Sequence, residues 1–380
     1  IYWAIFQGRY NVMSLFTWLY DKYNVVMYLF LMMHVTGIET IERLKTVYKK
    51  EFGELAGIKR LPSHPVLWKL IHEAVSLKRS SQAIDYFFKT QIARGFVSLW
   101  YLFIDGHFIG YTGKEKVHKN YHTQSREMHP GQNEIYIHDS SGCIVYFEIQ
   151  EGKGDMVEVI RRKSAEYAEI INGIAPLFVV DRELWGIKKF QYLSDCRFVT
   201  WEKNTDSKAV KSLDDKYFDK YLRVNGIDYQ LYETSRVYKD IEGNNIELRR
   251  IIIWNTKTNT RPVAVTNDKY EDTKTIARAM LNRWGKSENS FKHMGNRTSM
   301  EYNPVLDITK ESDNQQVYNP EYSKLQGEIA QIKKHIKTLE LKIGRKPVTL
   351  NKDGSLRKSA SRDWLVSEKE NSQDKLKVLN

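Results

Sequence analysis

The chain has 380 residues, enough to bury a large core and to form two or three domains. Lys and Arg number 59 against 47 Asp and Glu, a net charge of +12 with a pI near 9.3, which suits a polyanionic partner such as nucleic acid. Two cysteines, Cys143 and Cys196, exclude a cysteine-built zinc cluster and a secreted disulfide framework, and point to a reducing compartment.

Residues 1–95 read as a helical N-terminal region, and Ile1 in place of Met leads us to expect a processed or truncated start. Apolar residues recur at helical spacing from Leu15 to Val35 and again from Leu67 to Phe88. Pro62-Ser63-His64-Pro65 marks a helix start between them. The run Val25 to Met33 is shorter than the about 20 residues a membrane span needs, so a buried helix and no membrane partner are expected. No secretory leader is evident.

From residue 96 the pattern changes to strands. Trp100 to Ile104 predicts a strand buried on both faces. Glu134 to His138 and Ile144 to Ile149 flank the turn-forming Asp139-Ser140-Ser141-Gly142 and predict a hairpin. An amphipathic helix follows Asp155, with Val157, Ile160, Tyr167 and Ile171 on one face, and Asn172-Gly173 ends it. Leu177 to Val180 is a short buried strand and Leu184 to Leu193 a helix. Three strands, a helix, a strand and a helix, over 96–197, is the order of a ribonuclease-H-like α/β core.

Residues 198–266 predict an all-β insertion. Tyr221 to Val224 and Ile227 to Tyr232 surround Asn225-Gly226, a strong hairpin signal, and Ile251 to Trp254 and Val263 to Val265 add strands. Residues 267–303 return to the core as a helix from Lys274 to about Met294 that carries Glu288. Residues 304–380 predict a polar linker, a short coiled-coil seam (Leu325, Ile329, Ile332, Ile336, Leu339, Ile343) and a mobile Lys/Ser-rich tail from 346.

Three acidic residues stand where a metal-dependent nuclease needs them. Asp105 and Asp181 follow apolar strands, and Glu288 lies on the late helix, where an extra methylene bridges a wider gap. Two Mg²⁺ ions, with Mn²⁺ as a substitute, need few carboxylates and a substrate phosphate, and together activate the attacking oxygen and stabilise the leaving one. Each acid also has a plainer reading: Asp105-Gly106 as a hairpin turn, Asp181 as a helix cap, Glu288 as the partner of Lys292 one helical turn on. His107 and Glu183 are candidates to orient the carboxylates.

Ile104-Asp105-Gly106-His107 with Tyr111-Thr112-Gly113-Lys114, then Val179-Val180-Asp181-Arg182-Glu183-Leu184, then Arg283-Trp284 with Glu288-Asn289-Ser290-Phe291-Lys292 resemble a bacterial insertion-sequence transposase. The closest group is the cut-and-paste DDE class, whose ribonuclease-H-like core is interrupted by a β insertion. The resemblance spans about residues 35–300. It implies that Asp105, Asp181 and Glu288 hold the metal ions, that Asn289 supports them, and that Arg182, Arg283 and Lys292 contact DNA phosphates. Trp254, in the insertion, reads as a core tryptophan or as a residue that stacks on an unpaired base. Arg283 precedes Glu288 by five residues where better-known members have an arginine four before, and Met280 stands at their tyrosine position. The implied partner is double-stranded DNA, both element ends and target, bound by a homodimer. The implied location is the bacterial cytoplasm at the nucleoid. The alternatives are an endonuclease that cuts without joining and a non-catalytic, transposase-derived DNA-binding protein.

Overall fold

A computed structural model describes residues 11–122, 125–150, 154–171, 173–240, 242–283, 285–286, 292, 316–317, 319–346, 351–355 and 359–379. They fall into two compact units, residues 1–120 with 130–313 and residues 121–129 with 314–380.

The first unit begins with the expected helices. They are α1 (Val12–Tyr20), α2 (Asn24–Thr36), α3 (Lys49–Leu55), α4 (His64–Ser76) and α5 (Ser80–Ala93). Gly37, at φ 71°, ends α2 in the left-handed conformation that a glycine adopts without strain. Pro65 lies in the first turn of α4, where its missing N–H costs nothing. Val26, Leu29, Met32 and Met33 turn inward against Ile41, Phe52, Leu67 and Ile71, so the apolar run is core. Among the described residues no helix is long and apolar enough to cross a membrane.

The strands are β1 (Tyr101–Gly110), β2 (Lys119–His122), β3 (Glu127–His138), β4 (Ile144–Gln150), β5 (Leu177–Val180), β6 (Arg197–Trp201), β7 (Lys220–Val224), β8 (Ile227–Lys239), β9 (Asn245–Asn255) and β10 (Val263–Thr266). They form one ten-stranded sheet in the order β2-β3-β1-β5-β6-β10-β9-β8-β7, with β4 also on β3. Within it β4-β3-β1 run antiparallel and β1-β5-β6 run parallel, the arrangement of a ribonuclease-H-like core. Helix α6 (Met156–Ile170), capped by the Asp155 carboxylate, provides the crossover from β4 to β5. A short helix α7 (Ile187–Tyr192) links β5 to β6.

The strands of residues 198–266 continue the sheet: β10 pairs with β6, and β9, β8 and β7 extend it, because β6 would otherwise leave an open edge. Strand β1 also runs on past Asp105 to Gly110, paired with β3 throughout, so Asp105-Gly106 is not a hairpin turn. The sheet is covered on both faces. Leu102, Ile104, Ile135 and Ile137 pack with α6, while Phe103, Val179, Val199 and Ile251 pack beneath α9 (Thr273–Arg283).

In the second unit, α10 (Pro320–Gly344) pairs with α11 (Ala360–Leu379). Ile329 and Leu339 of α10 and Leu365 of α11 are buried. The polar tail expected to be mobile is therefore helical from residue 360, because the apolar residues of α11 have a partner stripe in α10. Lys369 pairs with Glu340 at 3.0 Å across this hairpin.

Candidate active site

The parallel register of β1 and β5 pairs Phe103 with Val179 and Ile104 with Val180. Strand β5 ends at Val180, so Asp105 and Asp181 are the next residues on the two chains. Side chains alternate along a strand, and each aspartate lies two residues beyond a residue buried under α9. Both carboxylates therefore emerge on the α9 face of the sheet. Neighbouring strands are about 4.8 Å apart, which sets the scale of their separation.

Helix α9 supplies the third group. Ile276, Ala277 and Met280 form its buried stripe, and Arg283 extends that stripe one turn further. The Arg283 side chain is 4% exposed, with Nη1 at 3.4 Å from Asp105 Oδ2 and Nη2 at 3.6 Å from Asp181 Oδ1. One guanidinium thus bridges two carboxylates. Asp105 Oδ1 also accepts from the Gly106 N–H at 3.0 Å. The Asp181 backbone is fixed from β6, where the Thr200 hydroxyl donates to its carbonyl at 2.7 Å. Asp181 precedes a 3₁₀ turn at Arg182–Leu184 but its side chain makes no capping hydrogen bond, so the carboxylate is not spent as a cap.

Antiparallel pairing adds neighbours that the sequence reading missed. Tyr136 lies opposite Asp105 and Glu134 opposite His107, all on the same face. The Tyr136 hydroxyl donates to the Glu134 carboxylate. Burial pushes the Glu134 carboxyl above its usual range, and the hydrogen bonds from Tyr136 and Gln132 only partly offset it. His138, next along the face and fully buried, is pushed down to about 4 by burial. The spacing Glu134, Tyr136, His138 was the signal, but only the register with β1 brings it beside Asp105.

Of the other expected residues that are described, His107 and Arg283 lie at the site and the rest do not. His107 is half-buried, two residues beyond Asp105 on the same face. Arg182, Glu183 and Lys292 are exposed. Arg283, expected to face a phosphate, is instead buried against the aspartates, because it continues the inward stripe of its helix. Trp254 packs edge-on against Phe218, carries the Arg261 guanidinium 4.3 Å from its ring centroid, and donates to Asn259 at 3.0 Å. Its ring is thus occupied by protein neighbours. Glu288 and Asn289 lie outside the described residues.

The donor set fits a divalent cation. Two carboxylates converge, they offer oxygen only, and the Asp105 and Asp181 side chains are 23% and 49% exposed, open enough for a hard ion that keeps its waters. Among the described residues no group of three or more His, Cys, Asp or Glu is placed to hold a metal.

No family model matches the chain, and no curated protein matches it in sequence. Two solved structures are similar to it in part. One is the catalytic domain of human Endonuclease V, at 10% identity and a TM-score of 0.26, over 62% of this chain and 97% of that one. The other is the NurA nuclease from Sulfolobus solfataricus, at 8% identity and a TM-score of 0.25, over 60% of this chain and 96% of that one. The strand order and the aspartate pair stand independently of these likenesses.

Proposed function

We propose that the chain is a DDE transposase, a divalent-metal-dependent enzyme that cleaves DNA at element ends and joins the freed ends to a target. The observation that carries this reading is the adjacency of Asp105 and Asp181 on one face of a ribonuclease-H-like sheet, beneath the helix that leads toward Glu288. Asp105, Asp181 and Glu288 would hold Mg²⁺ or Mn²⁺, which when bound would supply Lewis-acid activation and withdraw charge from the phosphate.

The protein's own groups position the reaction. Rigid strands aim the two aspartates, and the Thr200 hydrogen bond to the Asp181 carbonyl keeps β5 and β6 in register at that point. Exposed Arg182, on the turn after Asp181, and Lys292, past α9, contact the DNA backbone, and the net charge of +12 favours that polyanion. Water breaks one phosphodiester P–O bond and leaves a 3′-hydroxyl. That hydroxyl then attacks a target phosphodiester in line, so one P–O bond forms as another breaks and no covalent enzyme intermediate is needed. Two copies acting together would handle the two ends.

The test is incubation with labelled DNA carrying candidate element ends, a target plasmid and Mg²⁺, with 3′-hydroxyl ends and joined products read separately. Metal-dependent joining supports the reading. Cleavage without joining reduces it to an endonuclease, and metal-independent binding with neither product removes the enzyme altogether.

A further inference from the structure

We propose that Arg283 is an internal counter-cation for the Asp105–Asp181 pair, and that a divalent ion must displace its guanidinium from the carboxylates before the pair can hold the ion. This rests on reading the two aspartates as the metal-holding pair.

The geometry makes the guanidinium a competitor. Its two terminal nitrogens lie at 3.4 Å and 3.6 Å from one oxygen of each aspartate, on the side from which both carboxylates can be shared. Two carboxylates carry a charge of −2 and the guanidinium returns +1, so the pair with Arg283 in place offers a dication half the charge it would meet without it. Arg283 is also held in a shielded position, at 4% exposure, where charge interactions are weakened less by water than at the surface. A dication and a guanidinium a few Å apart repel, and both cannot sit on the same oxygens.

The backbone limits how Arg283 can yield. It closes the buried stripe of α9, whose Ile276, Ala277 and Met280 are fully packed against the sheet. Beyond it, the Lys286 carbonyl lies against the β3–β4 turn so closely that a Cβ on Gly142 would come within 3.1 Å of its oxygen. The chain just past α9 thus runs against that turn, and the inference assigns displacement to the Arg283 side chain. In this structure the residue bridges the like-charged aspartates, and metal binding would release it from them. Arg283 is thus a positioning residue that also sets how much metal the site requires.

Calorimetric titration of the full chain with Mn²⁺ and with Mg²⁺, without DNA, tests this. Arg283→Gln is expected to bind at least about tenfold more tightly than the unaltered chain, because the competing charge is gone. Arg283→Lys keeps that charge but loses the two-pronged bridge, and its gain is expected to be smaller than that of Arg283→Gln. Unchanged or weaker binding by Arg283→Gln, or an equal gain in Arg283→Lys, would overturn the inference. Asp105→Asn and Asp181→Asn separate the two levels: if both leave metal binding intact, the metal-holding reading fails and this inference with it. If they abolish binding while Arg283→Gln gains nothing, the counter-cation role alone falls. Should Arg283→Gln not fold, ¹⁵N spectra of the Arg283 guanidinium in the unaltered chain decide. Faster exchange of its Nη protons on adding Mg²⁺ supports displacement, and an unaltered signal contradicts it.

Discussion

Asp105 and Asp181 occupy the first position past the parallel register of β1 and β5, immediately beyond the Ile104–Val180 pair. The strand pairing itself therefore delivers two carboxylates to one place. Neither needs a loop to reach the other, and a site built on strand backbones is held more tightly than one built on loops.

That backbone precision depends on Thr200. Its hydroxyl donates to the Asp181 carbonyl at 2.7 Å across β5 and β6. Thr200→Val keeps the shape and removes the bond, leaving the carbonyl only the Leu184 N–H at 3.1 Å. A loss of about 1 kcal/mol in urea stability is expected, together with a several-fold fall in metal-dependent turnover. Unchanged turnover with the expected stability loss would limit Thr200 to a structural role.

His138 gives the fold an acid sensitivity. Burial lowers its pKa from 6.5 to about 4, so the folded protein holds the imidazole neutral while the unfolded chain protonates. The unfolded state binds more protons in that window, so the stabilisation is present above pH 6.5 and is lost as pH falls toward 4. The span corresponds to roughly 3 kcal/mol. Urea midpoints measured across this range should fall with acid in the native chain and flatten in His138→Phe, whatever its baseline stability.

Glu202 anchors the β extension. Its carboxylate accepts from Arg250 at 2.8 Å, from the Tyr238 hydroxyl at 2.7 Å and from the Thr205 hydroxyl at 3.0 Å. Burial pushes this carboxyl up, but the bonds from Arg250 and Tyr238 outweigh burial and hold it below its usual range. Its contribution is therefore present at neutral pH and lost in acid. Glu202→Ala strands the Arg250 charge, and a loss of about 3–5 kcal/mol is expected by denaturant titration.

Gly53 fixes the helical region for a different reason. A Cβ there would lie 2.7 Å from the Arg60 Cα and 2.8 Å from the Leu61 nitrogen, both backbone atoms that cannot swing aside. Gly53→Ala should cost about 1–3 kcal/mol and lower the thermal midpoint, although alanine favours helices more than glycine does.

The strands that bear the aspartates were legible because a buried run ending in an acid is a strong local pattern, as in Leu177 to Asp181. The length of β1 was not: Asp105-Gly106-His107 reads as a turn, and only pairing with β3 keeps it extended. The inward turn of Arg283 was hidden for a similar reason. An arginine at a helix end reads as surface, and its burial follows from two carboxylates contributed some 100 and 180 residues earlier. Helix α11 was missed because its sparse apolar residues form a face only against α10.

The most direct test of the central claim is Mg²⁺-dependent release of 3′-hydroxyl ends from DNA by Asp105→Asn and Asp181→Asn, each measured beside the unaltered chain. Each substitution removes one metal-holding charge, and a fall of about 10³-fold in rate is predicted for both, with the fold retained by circular dichroism. Undiminished metal-dependent cleavage in both variants would contradict the assignment of the Asp105–Asp181 pair as the catalytic centre.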